Sequence, residues 1–318
     1  MSNLDRRIRV GRSLLLPSVR SERGPTVFRI ANSFGIGLVC SALTFSLGFA
    51  SLSSAGKEPI RQASPSLRER LTGFRVGAHR GGMPFPDQNT IQRFEQARQS
   101  GVDIVETDLR VSRDGEVFLF HDRMMDDLTT CSGPIAAKSA SEIRACRLRG
   151  TALGLSTFRE LLTWSAGRVV IDADIKNNET LEPAIQLVRE MNAYLWVYVQ
   201  VQGSYDRARI DDARVALLVS PKGPMAQQQL DYYLTLKDKN LLVIELPRSL
   251  CNAENIRAIH QSGKIASADS WHFGSERSWW HRRARCDQVF GLGIDIAISD
   301  LPEGCVGEKI QADRDHGM

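Results

Sequence analysis

Between residues 73 and 318, short apolar runs alternate with amphipathic stretches. The runs cover residues 74–79, 103–109, 116–121, 168–174, 195–201, 215–219, 241–246, 264–268 and 295–299. Most are rich in Val, Ile, Leu or Phe, as strands buried on both faces should be. Residues 90–99, 157–165, 181–191, 225–236 and 254–261 instead repeat apolar positions at helical spacing. Such alternation over about 240 residues predicts an α/β fold, a (β/α)8 TIM barrel, with a doubly wound open sheet as the competing arrangement. Nine runs exceed the eight that a barrel needs, so one should be peripheral. The 109–116 connection is too short for a crossover helix, so irregularity is expected around the second and third strands. Residues 129–153 read as a small loop insertion.

The start of the chain has a different pattern. Ile30 to Gly56 contains no charged residue, and residues 30–50 are mostly apolar. That length reaches about 30 Å as a helix, enough for a bilayer core. Residues 1–56 therefore read as a basic region plus a hydrophobic signal or anchor, 57–72 as a linker and 73–318 as the barrel domain. Small residues at Gly48 and Ala50, or Ser53 and Ala55, suit cleavage, whereas the long leading region suits an uncleaved anchor. Arginines before the apolar stretch place the N-terminus in the cytoplasm and the barrel outside, periplasmic or secreted.

Charge sharpens this division. The chain has 318 residues, 42% hydrophobic and 25% charged, with a net charge of +4. Seven arginines against Asp5 and Glu22 give residues 1–50 a charge of +5, leaving −1 for the remainder. The basic surplus belongs to the targeting segment, and no nucleic-acid partner is expected. Export permits disulfides. With Cys40 in the apolar stretch, Cys131 and Cys146 form the expected pair, while the pairing of Cys251, Cys286 and Cys305 stays open.

Barrel enzymes carry their chemistry at the carboxyl ends of strands. There the chain places His79-Arg80-Gly81-Gly82, Glu106-Thr107-Asp108, His121-Asp122 and Asp172-Ala173-Asp174-Ile175-Lys176. Residues two apart on a strand share a face, so Glu106 with Asp108, and Asp172 with Asp174 and Lys176, can enter one cavity. Converging carboxylates suit a hard divalent cation, Mg²⁺ or Ca²⁺. Two histidines beside it suit acid/base work, and Arg80 and Lys176 suit a phosphate. Phosphodiester cleavage follows from these residue types. Glu245, closing its run, reads as a rim ion pair ahead of a residue entering the cavity, and the aromatic neighbourhood of residues 271–273 and 279–280 reads as packing on the rim ahead of a binding role.

The stretch AHRGGMPFPDQNTIQRFEQARQSGVDIVETDLRVSRDGEVFLFHDRMMDDLTT (78–130) resembles the signature of the glycerophosphodiester phosphodiesterase family. LSTFRELL (155–162), VVIDADIK (169–176) and GIDIAISDLPE (293–303) resemble later elements of the same family. The resemblance implies a TIM barrel and metal-dependent hydrolysis of glycerophosphodiesters to an alcohol and glycerol phosphate. It implies His79 and His121 as the acid/base pair and Glu106, Asp108 and Asp174 as metal ligands. Arg80 and Lys176 would bind phosphate and Trp271 would line the substrate site. It further implies attack by the substrate's own glycerol hydroxyl, then opening of a cyclic phosphate by water.

Three positions depart from the family pattern. Gln88 stands where Glu is usual, Asp174 is one methylene shorter than the usual Glu, and Trp271 is out of step with the family's late tryptophan. A sibling reading has the barrel act on a phospholipid headgroup, as sphingomyelinase D or phosphatidylinositol phospholipase C barrels do, with the N-terminal segment holding it at a membrane. A third makes it a non-catalytic barrel that binds a phosphate-containing polymer.

Overall fold

The computed structural model describes residues 64–83, 86–201, 210–273 and 285–316. Among these described residues nine strands follow in order: β1 Arg75–Ala78, β2 Ile104–Val111, β3 Val117–Leu119, β4 Val170–Ile175, β5 Val197–Val201, β6 Ala216–Val219, β7 Leu241–Glu245, β8 Ile265–Asp269 and β9 Ile296–Ser299. Eight pair in parallel in the order β1-β2-β4-β5-β6-β7-β8-β9, and β9 returns to β1 to close the ring. The supernumerary strand is β3, which runs antiparallel to β2 outside the ring, with Leu109 opposite Leu119. The fold is a (β/α)8 TIM barrel, irregular at its second and third strands.

Helices Ile91–Gln99, Phe158–Ser165, Asn178–Glu190, Ala226–Thr235 and Ala253–Gln261 fall where apolar spacing predicts them. Their starts are chemically marked. The side chains of Thr90, Thr157 and Asn252 each accept from a backbone N–H of the first turn. Cys286–Gly291 and Pro302–His316 are further helices that the spacing does not predict. Both carry too few periodic apolar positions to announce themselves.

Two apolar layers sit either side of the strands. Phe94, Phe158, Ile185 and Phe290 fill the space between strands and helices. Inside the ring, Ile104, Val170, Ala216, Ile265 and Ile296 meet Leu67 and Leu71. Those two leucines correct the expected linker. Its last residues form the helix Leu67–Arg70, which covers apolar side chains at the amino ends of the strands. Burying that mouth outweighs the polar composition of the segment.

The expected loop insertion is likewise more than a loop. It contains the helix Ala140–Ala145 and packs Ile135, Ile143 and Leu148 against Phe118 and Phe120. Cys131 and Cys146 are joined, as are Cys286 and Cys305, and Cys251 is free and buried. Among the described residues no helix is long and apolar enough to cross a membrane. The apolar stretch 30–50, Cys40, Trp279 and Trp280 lie outside the described residues.

Candidate active site

The end of β1 turns abruptly. His79–Gly81 form a single 3₁₀ turn in which Arg80 adopts φ 51°, a left-handed conformation uncommon for a side-chain-bearing residue. A Cβ on Gly81 would lie 2.3 Å from Arg93 Cγ, and one on Gly82 would lie 2.8 Å from Pro302, which explains the glycine pair. The turn aims the Arg80 backbone N–H at Glu106, donating to Oε2 at 2.8 Å.

Strands β2 and β4 lie in register, with Glu106 beside Asp172 and Asp108 beside Asp174. Oxygens from Glu106, Asp108 and Asp174 lie within 4.8 Å of one another. Lys176 Nζ sits 2.7 Å from Asp108 Oδ1 and also bonds Asp174, while Arg80 Nε lies 3.0 Å from Asp108 Oδ2. Burial alone would raise the Asp108 carboxyl, but Lys176 and Arg80 hold it below its ordinary range. Glu106 behaves oppositely. Burial, then the charges of Asp108, Asp172 and Asp174, push it well above the usual carboxylate range. Three buried oxygen donors form a set that a hard cation would neutralise.

His79 is fixed from both sides. Its Nδ1 is 2.7 Å from Asp300 Oδ1, and its Nε2 is 4.0 Å from Glu106 Oε2. The Trp271 ring lies against it, centroid to centroid 4.6 Å. His121 follows β3, with Nδ1 2.6 Å from Asp122 Oδ1, and is half-exposed; the backbone oxygen of His121 accepts from Arg110 Nε at 2.7 Å. Each histidine therefore presents Nδ1 to an aspartate, an arrangement that settles which nitrogen faces a reacting group.

A cavity of about 170 Å³ opens among His79, Glu106, Asp174, Lys176 and Trp271. Asp108 lies behind it, held by Lys176, Arg80 and Asn89. His121 is not among the lining residues. Gln88, the departure from the family pattern, accepts from Arg80 Nη1 at 3.0 Å and so orients the guanidinium as a carboxylate would, without the charge. Asn89, with φ 56°, donates to Asp108 Oδ2 at 2.8 Å and accepts from Thr107 Oγ1 at 2.8 Å.

Several cavity residues escape the sequence reading. Glu245 takes the cavity position rather than the favoured rim ion pair: it lines the cavity and accepts from Ser220 Oγ at 3.2 Å. Gln200, Lys222 and Asp269 line it too. Asp300 was legible only as part of the closing motif, since nothing local ties it to a histidine 221 positions away. Trp271, out of step in sequence, still reaches the cavity because the 3₁₀ turn Ser270–Phe273 carries it back over the barrel mouth.

A model of the glycerophosphoryl diester phosphodiesterase family matches residues 79–218. A probable glycerophosphodiester phosphodiesterase 2 of Mycobacterium tuberculosis is 29% identical over 148 residues, covering 46% of this chain and 54% of that protein. The chain thus spans about half the length of this curated relative. A glycerophosphoryl diester phosphodiesterase structure from Parabacteroides distasonis superposes with a TM-score of 0.64 at 18% identity, covering 79% of this chain and 93% of that one. An Oleispira antarctica phosphodiesterase, solved in complex with the product sn-glycerol-3-phosphate, gives 0.59 at 16% identity, covering 74% and 96%. Residues 79–218 of the barrel are thus similar to the glycerophosphoryl diester phosphodiesterase family.

Proposed function

We propose that this chain is an exported, metal-dependent phosphodiesterase that hydrolyses glycerophosphodiesters to an alcohol and glycerol phosphate. The observation that carries the reading is the meeting of Glu106, Asp108 and Asp174 within ligand distance beside His79, at the carboxyl ends of the strands. The product held by the Oleispira antarctica relative is of the expected chemical class.

The buried oxygen set fits Mg²⁺ or Ca²⁺ at Glu106, Asp108 and Asp174. When bound, such an ion would supply charge neutralisation for a phosphoryl oxygen. Lys176 and Arg80 already offset part of the triad's charge and stand ready to contact a phosphate, Arg80 with its planar fork. Asp300 on Nδ1 leaves His79 Nε2 toward the cavity, where it can accept or donate a proton. His121, braced by Asp122, is the complementary group: one imidazole takes the proton of the attacking hydroxyl while the other protonates the leaving alcohol. Trp271 packs against the His79 ring and lines one side of the cavity.

The test is a phosphodiesterase assay of the full chain on glycerophosphocholine, glycerophosphoethanolamine and intact phospholipids, with and without EDTA. Release of glycerol phosphate that EDTA abolishes is expected. Activity that survives the chelator removes the metal from the mechanism, and turnover of intact lipids alone moves the reading to a headgroup phosphodiesterase.

Export draws support from the two disulfides, which oxidising compartments favour, and from the charge asymmetry around residues 30–50. In membrane vesicles of known orientation, protease should reach the barrel only from the extracytoplasmic side. Access solely from the cytoplasmic side would overturn the assignment.

A further inference from the structure

The two histidines are held very differently. His79 is clamped between Asp300 and the Trp271 ring. Among the described residues the His121 ring bonds only its chain neighbour Asp122, and these two side chains are 36% and 40% exposed, against 19% for His79. A pair so exposed contributes little by itself. Aiming the His121 imidazole therefore needs a hold on its main chain.

Strand β3 reaches the site on a short antiparallel ladder with β2, Leu109 opposite Leu119 and Arg110 opposite Phe118. The ladder ends with Phe120 N donating to Asp108 O at 2.9 Å, and further along β2 Val105 and Ile104 pair with β1 instead. Past His121 the next anchor is Arg123 O, which accepts from Ile135 N of the insertion at 3.1 Å. Between these anchors, among the described residues, the main chain of His121 and Asp122 makes one hydrogen bond to the rest of the fold. Arg110 Nε donates to the His121 oxygen at 2.7 Å.

Arg110 lies two residues beyond Asp108 on β2 and shares its face. It is half-buried and does not line the cavity. Lys176 and Arg80 pair directly with the triad, whereas Arg110 directs its Nε at a carbonyl. The peptide joining His121 to Asp122 is planar. Fixing its oxygen therefore sets the direction of both side chains, the imidazole and the carboxylate that braces it.

We propose that Arg110 is a positioning residue, a tether that carries the β2–β3 pairing one step past its last backbone bond and aims His121 at the triad. This rests on the phosphodiesterase reading above. Arg110 acts through His121 and touches neither the substrate nor the metal ligands.

The test separates the donor from the charge. Methionine has similar length and no donor, whereas glutamine places an uncharged N–H donor as many bonds from the backbone as the arginine Nε. With the full chain acting on glycerophosphoethanolamine, Arg110→Met should lower kcat about 10²-fold, with KM changed far less. Arg110→Gln should regain about tenfold of that loss. In a His121→Ala background, Arg110→Met should cost nothing further, since both changes remove one function. A kcat in Arg110→Gln as low as in Arg110→Met would assign the role to the charge and overturn the tether. Additive losses in the double variant would overturn it too, placing Arg110 on the phosphate or in the general fold. A second readout needs no turnover: NMR order of isotope-labelled histidine rings, with the His121 signal identified by its loss in His121→Ala. Arg110→Met should loosen the His121 ring and leave His79 unchanged. Equal order of the His121 ring with and without Arg110 would overturn the tether. If the ring loosens as expected but the unaltered chain hydrolyses no diester, the phosphodiesterase reading fails and the tether stands.

Discussion

At the His79 imidazole, Asp300 decides which nitrogen carries the proton, because its carboxylate accepts from Nδ1 at 2.7 Å. On the proposed mechanism the working atom is Nε2, so Asp300 acts only through His79. Asp300→Asn keeps the shape of the side chain but can present N–H to the ring and favour the wrong tautomer. Its kcat should fall about 10²-fold or more, with KM changed far less, since acid/base assistance contributes about 10²–10⁴-fold. A steady-state comparison checks this, and a variant with unaltered kcat would leave Asp300 a purely structural partner. At the same scale, Arg80 and Asn89 both occupy left-handed backbone conformations, and both are tied to the carboxylates of β2. Strain of this kind persists where surrounding bonds over-determine it.

Among the elements, β3 is the least barrel-like and carries one of the two histidines toward the site. Phe118 and Phe120, which lead into His121, pack on the insertion's own small core, and the Cys131–Cys146 bridge closes that core. The bridge spans a sequence separation of 15. Cys131→Ser with Cys146→Ser should therefore lower stability by about 3 kcal/mol, read by urea unfolding. A loss under about 1 kcal/mol would mean that the apolar packing of the insertion suffices alone. The insertion illustrates what escapes the sequence at this scale. Its residues are polar and irregular in pattern, so they read as loop, yet Ile135, Ile143 and Leu148 come together from separate turns to cover Phe118 and Phe120.

For the whole molecule, the interior charge couples stability to pH and to metal. Burial and neighbouring acids raise Glu106, and burial with Glu245 and Asp174 raises Asp172. The folded chain therefore keeps these protons to higher pH than the unfolded chain does, and the stability they contribute is lost as pH rises through their folded values. A divalent cation binds the ionised triad, so its stabilising effect should grow with pH. The melting shift caused by Mg²⁺ or Ca²⁺ should be larger at ~pH 8 than at ~pH 5, approaching about 2.7 kcal/mol at a hundredfold excess over Kd. Equal shifts at both values would detach the metal from these carboxylates. The sequence by itself determined the alternation of strands and helices, the surplus strand, the Cys131–Cys146 pair and the residues at the carboxyl ends of β1, β2 and β4. Each is written in neighbouring residues or in a short repeat. Only closure of the ring decided that Asp300 meets His79, that Glu245 faces inward, that Cys286 joins Cys305 and that Leu67 and Leu71 cover the amino ends of the strands. Those partners are brought together by the register and curvature of strands far apart in the chain, which no local pattern of side chains encodes.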